Sequence, residues 1–204
     1  MVTQPAALGL RVKTGKAIAV LIQGPAQSPT VLLRRELTLT HPSDRDTFQP
    51  YHPLMDLPWK EAEAAVRPKA RLIHASADKA LGDLVGEIAT RGWGLAGAGI
   101  VGGSDQDPAR IANPHIRAHA AEGRLFRRAL ETAAKACDLP FHFWVETGLY
   151  EKAASELACP AASLRKRVDD LRTGKVCPWR SEEKTATVAA LLVLAGLPDS
   201  VASG

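Results

Sequence analysis

Residues Gly94–Val101, with the sequence GLAGAGIV, restrict the fold more than any other stretch of the chain. The run carries no charged side chain, whereas a strand with one face in water alternates apolar and polar residues. An uninterrupted apolar run of this length reads as a strand buried on both faces. Such a strand needs a covering layer on either side, which points to a sheet held between helices. Its three glycines imply that another backbone or a ligand approaches closely.

The flanking pattern extends this reading. Leu10 and Val12, then Ala17–Ile22 (AIAVLI), read as strand interrupted by Lys13-Thr14-Gly15-Lys16. After the turn-rich Gln23–Pro29, Thr30–Leu39 (TVLLRRELTL) reads as a partner strand, giving a hairpin or three-strand meander. Residues 41–58 hold Pro42, Pro50, Pro53 and Pro58 without periodicity and read as an irregular excursion over the surface. From Trp59 the period becomes helical, with a long helix predicted from Arg71 to Arg91 and ended by Gly92. Gly102–Pro108 is a loop, and Asn113 with Pro114 opens a helix running to about Cys137. Phe141–Glu146 is a further strand. Gly148–Ala158 and Ala162–Arg172 read as short helices separated by Pro160. Ser181–Leu194 reads as the last helix, capped by Ser181, with Glu182 and Glu183 in its first turn.

The expectation is one α/β domain over residues 1–204. Three antiparallel N-terminal strands are followed by βαβ units in a mixed sheet, with helices on both faces and a helical C-terminal part at 148–195. A chain of 204 residues buries about 70% of its unfolded surface, so this core needs no disulfide or structural metal. Cys137, Cys159 and Cys177 are odd in number and form no CxxC, which disfavours a thiolate zinc site and fits buried, reduced thiols. Met1–Leu10 lack a basic start followed by an apolar run, and no run reaches 18 apolar residues. A cytoplasmic location without membrane contact is expected.

The net charge of +4 is unevenly spread. Residues 110–128 hold five arginines against Glu122 alone, and residues 163–180 hold six cations against Asp169 and Asp170. Basic islands on an otherwise acidic chain suit phosphates, and solvated helix faces explain them equally well.

The element order, at these lengths, resembles the ribonuclease H-like fold, and within it the RuvC-type Holliday-junction resolvases. Asn113–Leu130 (NPHIRAHAAEGRLFRRAL) carries the likeness most specifically, through an asparagine near the helix start and a small-residue segment within it. The alanine-rich last helix, with acids in its first turn, is also similar. The resemblance implies an aspartate in the first strand, a glutamate ending the fourth and further acids on the last helix, together holding two Mg²⁺ ions. This sequence departs from that pattern. Its first strand offers Arg11, Val12 and Lys13, and its fourth ends in Val101, Gly102 and Gly103. Only Glu182 and Glu183 have counterparts, so a two-metal nuclease is disfavoured.

Several groups are candidates for a site. The loop after the fourth strand and the next helix start bring Asp105, Asp107, His115, His119 and Glu122 to the carboxyl edge of the sheet, where α/β folds place ligands. His115, His119 and Glu122 share one side of a helix, which suits acid–base work or a metal, but no HExxH motif and no third distant ligand accompany them. No metal site is therefore expected there. On the same helix wheel, His119 falls in an apolar stripe with Ile116, Gly123, Ala134 and Cys137. That placement predicts a largely buried, hydrogen-bonded histidine, with His115 more exposed. Arg117, Arg124 and Arg128 form an outer stripe suited to backbone phosphates. Lys13 and Lys16 flank a turn that suits an anion or serves as a plain hairpin turn. Trp59, Trp93, Trp144 and Trp179 are too scattered for a base-stacking platform.

Three functions remain open. The first is a nucleic-acid or phosphate-ligand binding domain, acting on DNA or RNA without a cofactor through Lys13, Lys16, Arg117, Arg124 and Arg128. The second is a divergent Mg²⁺- or Mn²⁺-dependent phosphodiesterase using Asp105, His115, His119, Glu146 and Glu182. The third is a scaffold or subunit protein, binding itself or another protein through residues 51–59, where Leu54, Met55, Leu57 and Trp59 lie close together.

Overall fold

A computed structural model describes residues 4–172 and 178–196. Lys175 of the second basic island and Cys177 lie outside the described residues. Five strands, β1 (Ala6–Lys13), β2 (Lys16–Gln23), β3 (Thr30–Thr38), β4 (Leu95–Gly102) and β5 (Phe141–Val145), form one sheet in the order β3-β2-β1-β4-β5. β1, β2 and β3 pair antiparallel, and β1–β4 and β4–β5 pair parallel. The expected meander and βαβ units are both present. Six α-helices complete the described chain: α1 (Trp59–Ala65), α2 (Arg67–Thr90), α3 (Pro114–Ala136), α4 (Leu149–Glu156), α5 (Ala161–Asp170) and α6 (Ser181–Leu194). None is long and apolar enough to cross a membrane.

The alternation of β1 divides the core into two. Leu8, Leu10 and Val12 point to one face and pack with Ile73, Leu81, Leu84 and Ile88 of α2 and Phe126 and Leu130 of α3. The other face is covered by α4, α5 and α6, where Ile18, Val20 and Val101 meet Leu149, Leu164 and Val188. Burial of β4 on both sides follows, as its apolar run requires.

The glycines serve the packing of α6. A Cβ on Gly9 would stand 1.8 Å from the Ala186 carbonyl oxygen, and one on Gly99 would stand 2.8 Å from Ala189. The α6 backbone lies almost directly on the sheet, and a bare strand surface is what admits it. The close approach anticipated for β4 is thus made by a helix.

Some boundaries differ from expectation. α2 begins at Arg67 because Pro68 sits in its first turn, where a missing N–H breaks no hydrogen bond. Asn113 caps α3 as expected, its side-chain oxygen accepting from the Ile116 N–H at 3.0 Å. Ser181 does not cap α6. Its hydroxyl donates to Glu182 Oε2 at 3.1 Å, and the helix start is closed by Glu183 Oε2, which accepts from the Arg180 N–H at 2.8 Å. Cys137 and Cys159 are free but only half-buried.

Candidate functional site

Parallel β1, β4 and β5 end at one edge of the sheet, joined there by the first turn of α6. Arg11 is on the α6 face of β1 and only 7% exposed. Its Nε donates to Glu146 Oε1 at 3.0 Å and its Nη2 to Glu146 Oε2 at 2.5 Å, a bidentate pair just beyond β5, and Nη1 donates to the Val12 carbonyl. Lys13 Nζ lies 3.5 Å from Glu182 Oε1, and Lys16 pairs with Glu36 at 2.8 Å. Glu183, buried at the start of α6, receives Arg34 from β3 at 2.8 Å. Each of these carboxylates is met by a cation of the chain itself. The acids at this edge therefore do not fit the two Mg²⁺ ions that the resemblance implies, since a permanently charged guanidinium faces Glu146 from the first strand. The Lys13–Lys16 turn is neutralised in the same way.

The phosphodiesterase set does not come together. Asp105 pairs with Arg127 at 2.5 Å, Glu146 with Arg11 and Glu182 with Lys13, while among the five only His115 and His119 bond each other.

Three groups give the edge and its surroundings a defined response to pH. The Glu182 carboxyl is held below its usual range by a backbone N–H at the helix start, with Ser181 and Lys13 assisting against partial burial. Asp44 is held low by the Lys69 ammonium. His142, in β5, is pushed below 6.5 by burial and by Lys152. For each, the unfolded chain binds more protons in the window just below the ordinary pKa, so all three favour the folded state at higher pH. The urea midpoint should therefore be flat between about pH 7 and pH 8, below the thiol and phenol ranges where Cys137, Tyr51 and Tyr150, all pushed up by burial, act in the opposite sense. It should fall as pH drops through the ordinary histidine range and again through the carboxylate range. A midpoint that rises between pH 7 and pH 5 would contradict these assignments.

His115 is exposed as expected, but His119 is not where the helical wheel placed it. His119 is 49% exposed in its side chain, and Ile116, expected in the same stripe, is 56% exposed. Through its first turns α3 meets the 51–57 part of the excursion, where Tyr51, Leu54 and Met55 lie against Pro114 and Ala118. Burial along α3 falls on Ala118, Ala121, Glu122, Phe126, Ala129, Leu130 and Ala133. The excursion is an ordered strap with short 3₁₀ turns at Arg45–Thr47 and His52–Leu54. Its 51–57 part packs on the start of α3, Asp44 and Asp46 reach Lys69 of α2, and Phe48 lies against the β1–β2 turn at Gly15, while Phe48 and Leu57 remain exposed.

Glu122 fastens the strap. Its carboxylate is fully buried, and Oε1 accepts from His52 Nδ1 at 2.8 Å and from the Tyr51 N–H at 3.2 Å. Oε2 is buried without a hydrogen-bond partner and lies 4.0 Å from His119 Nδ1. The remaining nitrogens converge. His119 Nε2 is 3.1 Å from His115 Nε2, and the His52 ring stands edge-on to both, with centroids 4.6 Å from His119 and 5.3 Å from His115. His52 escaped the sequence reading because it sits between prolines in an aperiodic stretch, 70 residues before Glu122.

The two basic islands also separate. In the second, Arg165 pairs with Glu151, Lys166 with Asp170, and Arg167 donates to the Ala26 carbonyl. On α3, Arg124 pairs with Asp107, but Arg117 and Arg128 have no ion-pair partner among the described residues. Arg124 and Arg128 line a cavity of about 530 Å³ with Tyr51, Trp59, Lys60 and His74. The Tyr51 and Trp59 rings stack in its wall, 5.6 Å apart and inclined by 19°. Burial pushes the Tyr51 hydroxyl up to about 12. Arg67 and Arg71 extend the basic surface along α2 past His74.

The strand order, the single reversed strand β2 and the helices on both faces are the arrangement of the ribonuclease H-like fold. Among solved structures, the chain is similar to Thermus thermophilus RuvC in complex with Holliday junction substrate. That likeness has a TM-score of 0.49 at 14% identity, over 91% of this chain and 90% of that one. A second Thermus thermophilus RuvC structure gives 0.49 at 13% identity, over 91% of both chains. No family model and no curated protein matches the chain.

Proposed function

We propose that this ribonuclease H-like protein binds nucleic acid through the outer face of α3, and that it lacks a two-metal nuclease centre at the sheet edge. The supporting observation is the contrast between its basic regions. Lys13, Lys16 and the α5 cations are taken up by carboxylates or a carbonyl, whereas Arg117 and Arg128 have no ion-pair partner among the described residues and Arg128 lines a cavity walled by stacked Tyr51 and Trp59. Arginines spaced along a helix suit successive phosphates, and an aromatic wall suits a base.

Binding of fluorescent junction, duplex and single-stranded DNA and RNA at 50 and 200 mM salt tests this reading. Three phosphate contacts by Arg117, Arg124 and Arg128 predict a log–log salt slope of about −2.7 on duplex, or about a 40-fold loss of affinity over that range. Replacing both unpaired arginines, Arg117→Glu and Arg128→Glu, should bring the slope near −1 while leaving the fold intact. Absence of binding to every ligand at 50 mM, or an unchanged slope in the double variant, would remove the proposal.

A further inference from the structure

We propose that His52, His115 and His119 form a binding site for a divalent first-row metal ion of the zinc class, oriented by Glu122 and open to a fourth ligand. The three histidines offer nitrogens that all lie within 4.8 Å of one another. An ion with Zn–N bonds of about 2.0–2.1 Å in tetrahedral geometry holds its ligand nitrogens about 3.3 Å apart. His115 Nε2 and His119 Nε2 are already 3.1 Å apart, close to that edge length. They stand one helical turn apart on the same face of α3, so their spacing is set by the backbone. The third ligand comes from the strap, where His52 has its Nδ1 committed to Glu122 and its Nε2 left for the ion.

Glu122 makes this more than a group of aromatic rings in contact. A ligating histidine donates its other ring N–H to a carboxylate or carbonyl, which sets the tautomer and raises ligand basicity. Here one fully buried carboxylate faces the distal nitrogen of two of the three rings, His52 through Oε1 at 2.8 Å and His119 through Oε2 at 4.0 Å. Oε2 has no other partner, and an unpaired buried carboxylate oxygen is costly. A closure of His119 toward the ion would bring its Nδ1–H within reach of that oxygen. The negative carboxylate also offsets the positive end of the α3 dipole, which otherwise opposes a cation at this place.

The donor set selects the metal. Three neutral imidazoles suit Zn²⁺, Co²⁺, Ni²⁺ or Cu²⁺, while Mg²⁺ and Ca²⁺ demand oxygen ligands. His115 and His119 are exposed, so a fourth position is accessible to water or to an anionic oxygen. Because Glu122 also accepts from the Tyr51 N–H, an ion here would pin the strap residue that carries one ring of the stacked pair.

The test uses the full chain without a polyhistidine tag. Zn²⁺ is titrated by calorimetry, Co²⁺ by its visible absorption, and Mg²⁺ serves as the mismatched ion. One Zn²⁺ per chain should bind and raise the melting temperature, with a Co²⁺ spectrum of four- or five-coordinate nitrogen ligation and no response to Mg²⁺. His115→Ala and His119→Ala alter exposed side chains and should fold, each weakening Zn²⁺ by about 100-fold or more. Glu122→Gln should weaken it by about 10–100-fold while keeping the one-to-one stoichiometry. Failure of the parent chain to bind Zn²⁺ or Co²⁺ at micromolar concentration would overturn the proposal. Zn²⁺ affinity unchanged in both His115→Ala and His119→Ala would do the same.

Discussion

Gly9→Ala should destabilise the protein by about 3 kcal/mol or more, the largest loss expected from adding a single methyl group anywhere in the described sheet. The new Cβ would stand 1.8 Å from the Ala186 carbonyl oxygen, and backbone on both sides prevents relief by a rotamer change. Either α6 lifts from the sheet or β1 bends. Each response opens the contacts of Val188, Ala189 and Leu192 with the sheet face. Gly99→Ala should cost less, because its nearest approach is 2.8 Å and includes the Ala189 side chain. Gly123→Ala is the contrasting control. It lies on an exposed face of α3 with nothing within 4 Å, so a gain of up to about 1 kcal/mol is expected from helix propensity. Urea denaturation of the three variants measures the order. Parent-like stability in Gly9→Ala would mean that α6 does not lie on β1 as described.

The second large effect concerns Glu122→Leu, expected to cost about 2–4 kcal/mol. Leucine fills much of the volume but leaves the Tyr51 N–H and His52 Nδ1 without their acceptor in a part-buried setting. The loss is local in origin, so hydrogen exchange should show it first in the strap, as loss of protection at the Tyr51 amide while the sheet amides keep theirs. Glu122→Gln retains an acceptor oxygen for either group and should lose roughly half as much. Equal protection of Tyr51 in the parent and in Glu122→Leu would show that the strap is held by other contacts. The stacking of Tyr51 on Trp59 is the alternative anchor.

Much of this architecture was legible before any coordinates. Charge-free GLAGAGIV announced a strand buried on both faces. The apolar runs of β1–β3, separated by turn residues, and the Asn113–Pro114 helix start set the element order, and with it the mixed sheet between helices. These are consequences of local chemistry: side-chain period, capping groups and the backbone limits of proline. The sign and position of the basic islands were equally visible, as was the absence of an acid from the first strand.

Partnership was not legible, because it depends on which groups the fold brings together. Arg165 and Arg117 look alike in sequence, yet one finds Glu151 on a neighbouring helix and the other finds no ion-pair partner among the described residues. A helical wheel placed His119 toward the interior, but it cannot tell which side of the helix start the fold covers, and Ala118, Ala121 and Glu122 are the residues buried there. The glycines of β1 and β4 signalled a close approach without naming what approaches, and the answer was the α6 backbone. His52 became a neighbour of His115 and His119 only because a proline-rich strap folds back over α3 and ends its search for a hydrogen bond on Glu122. Periodicity is a property of adjacent residues and survives in one dimension; an ion pair or a ligand cluster joins residues distant in the chain, and its geometry exists only after the core has packed.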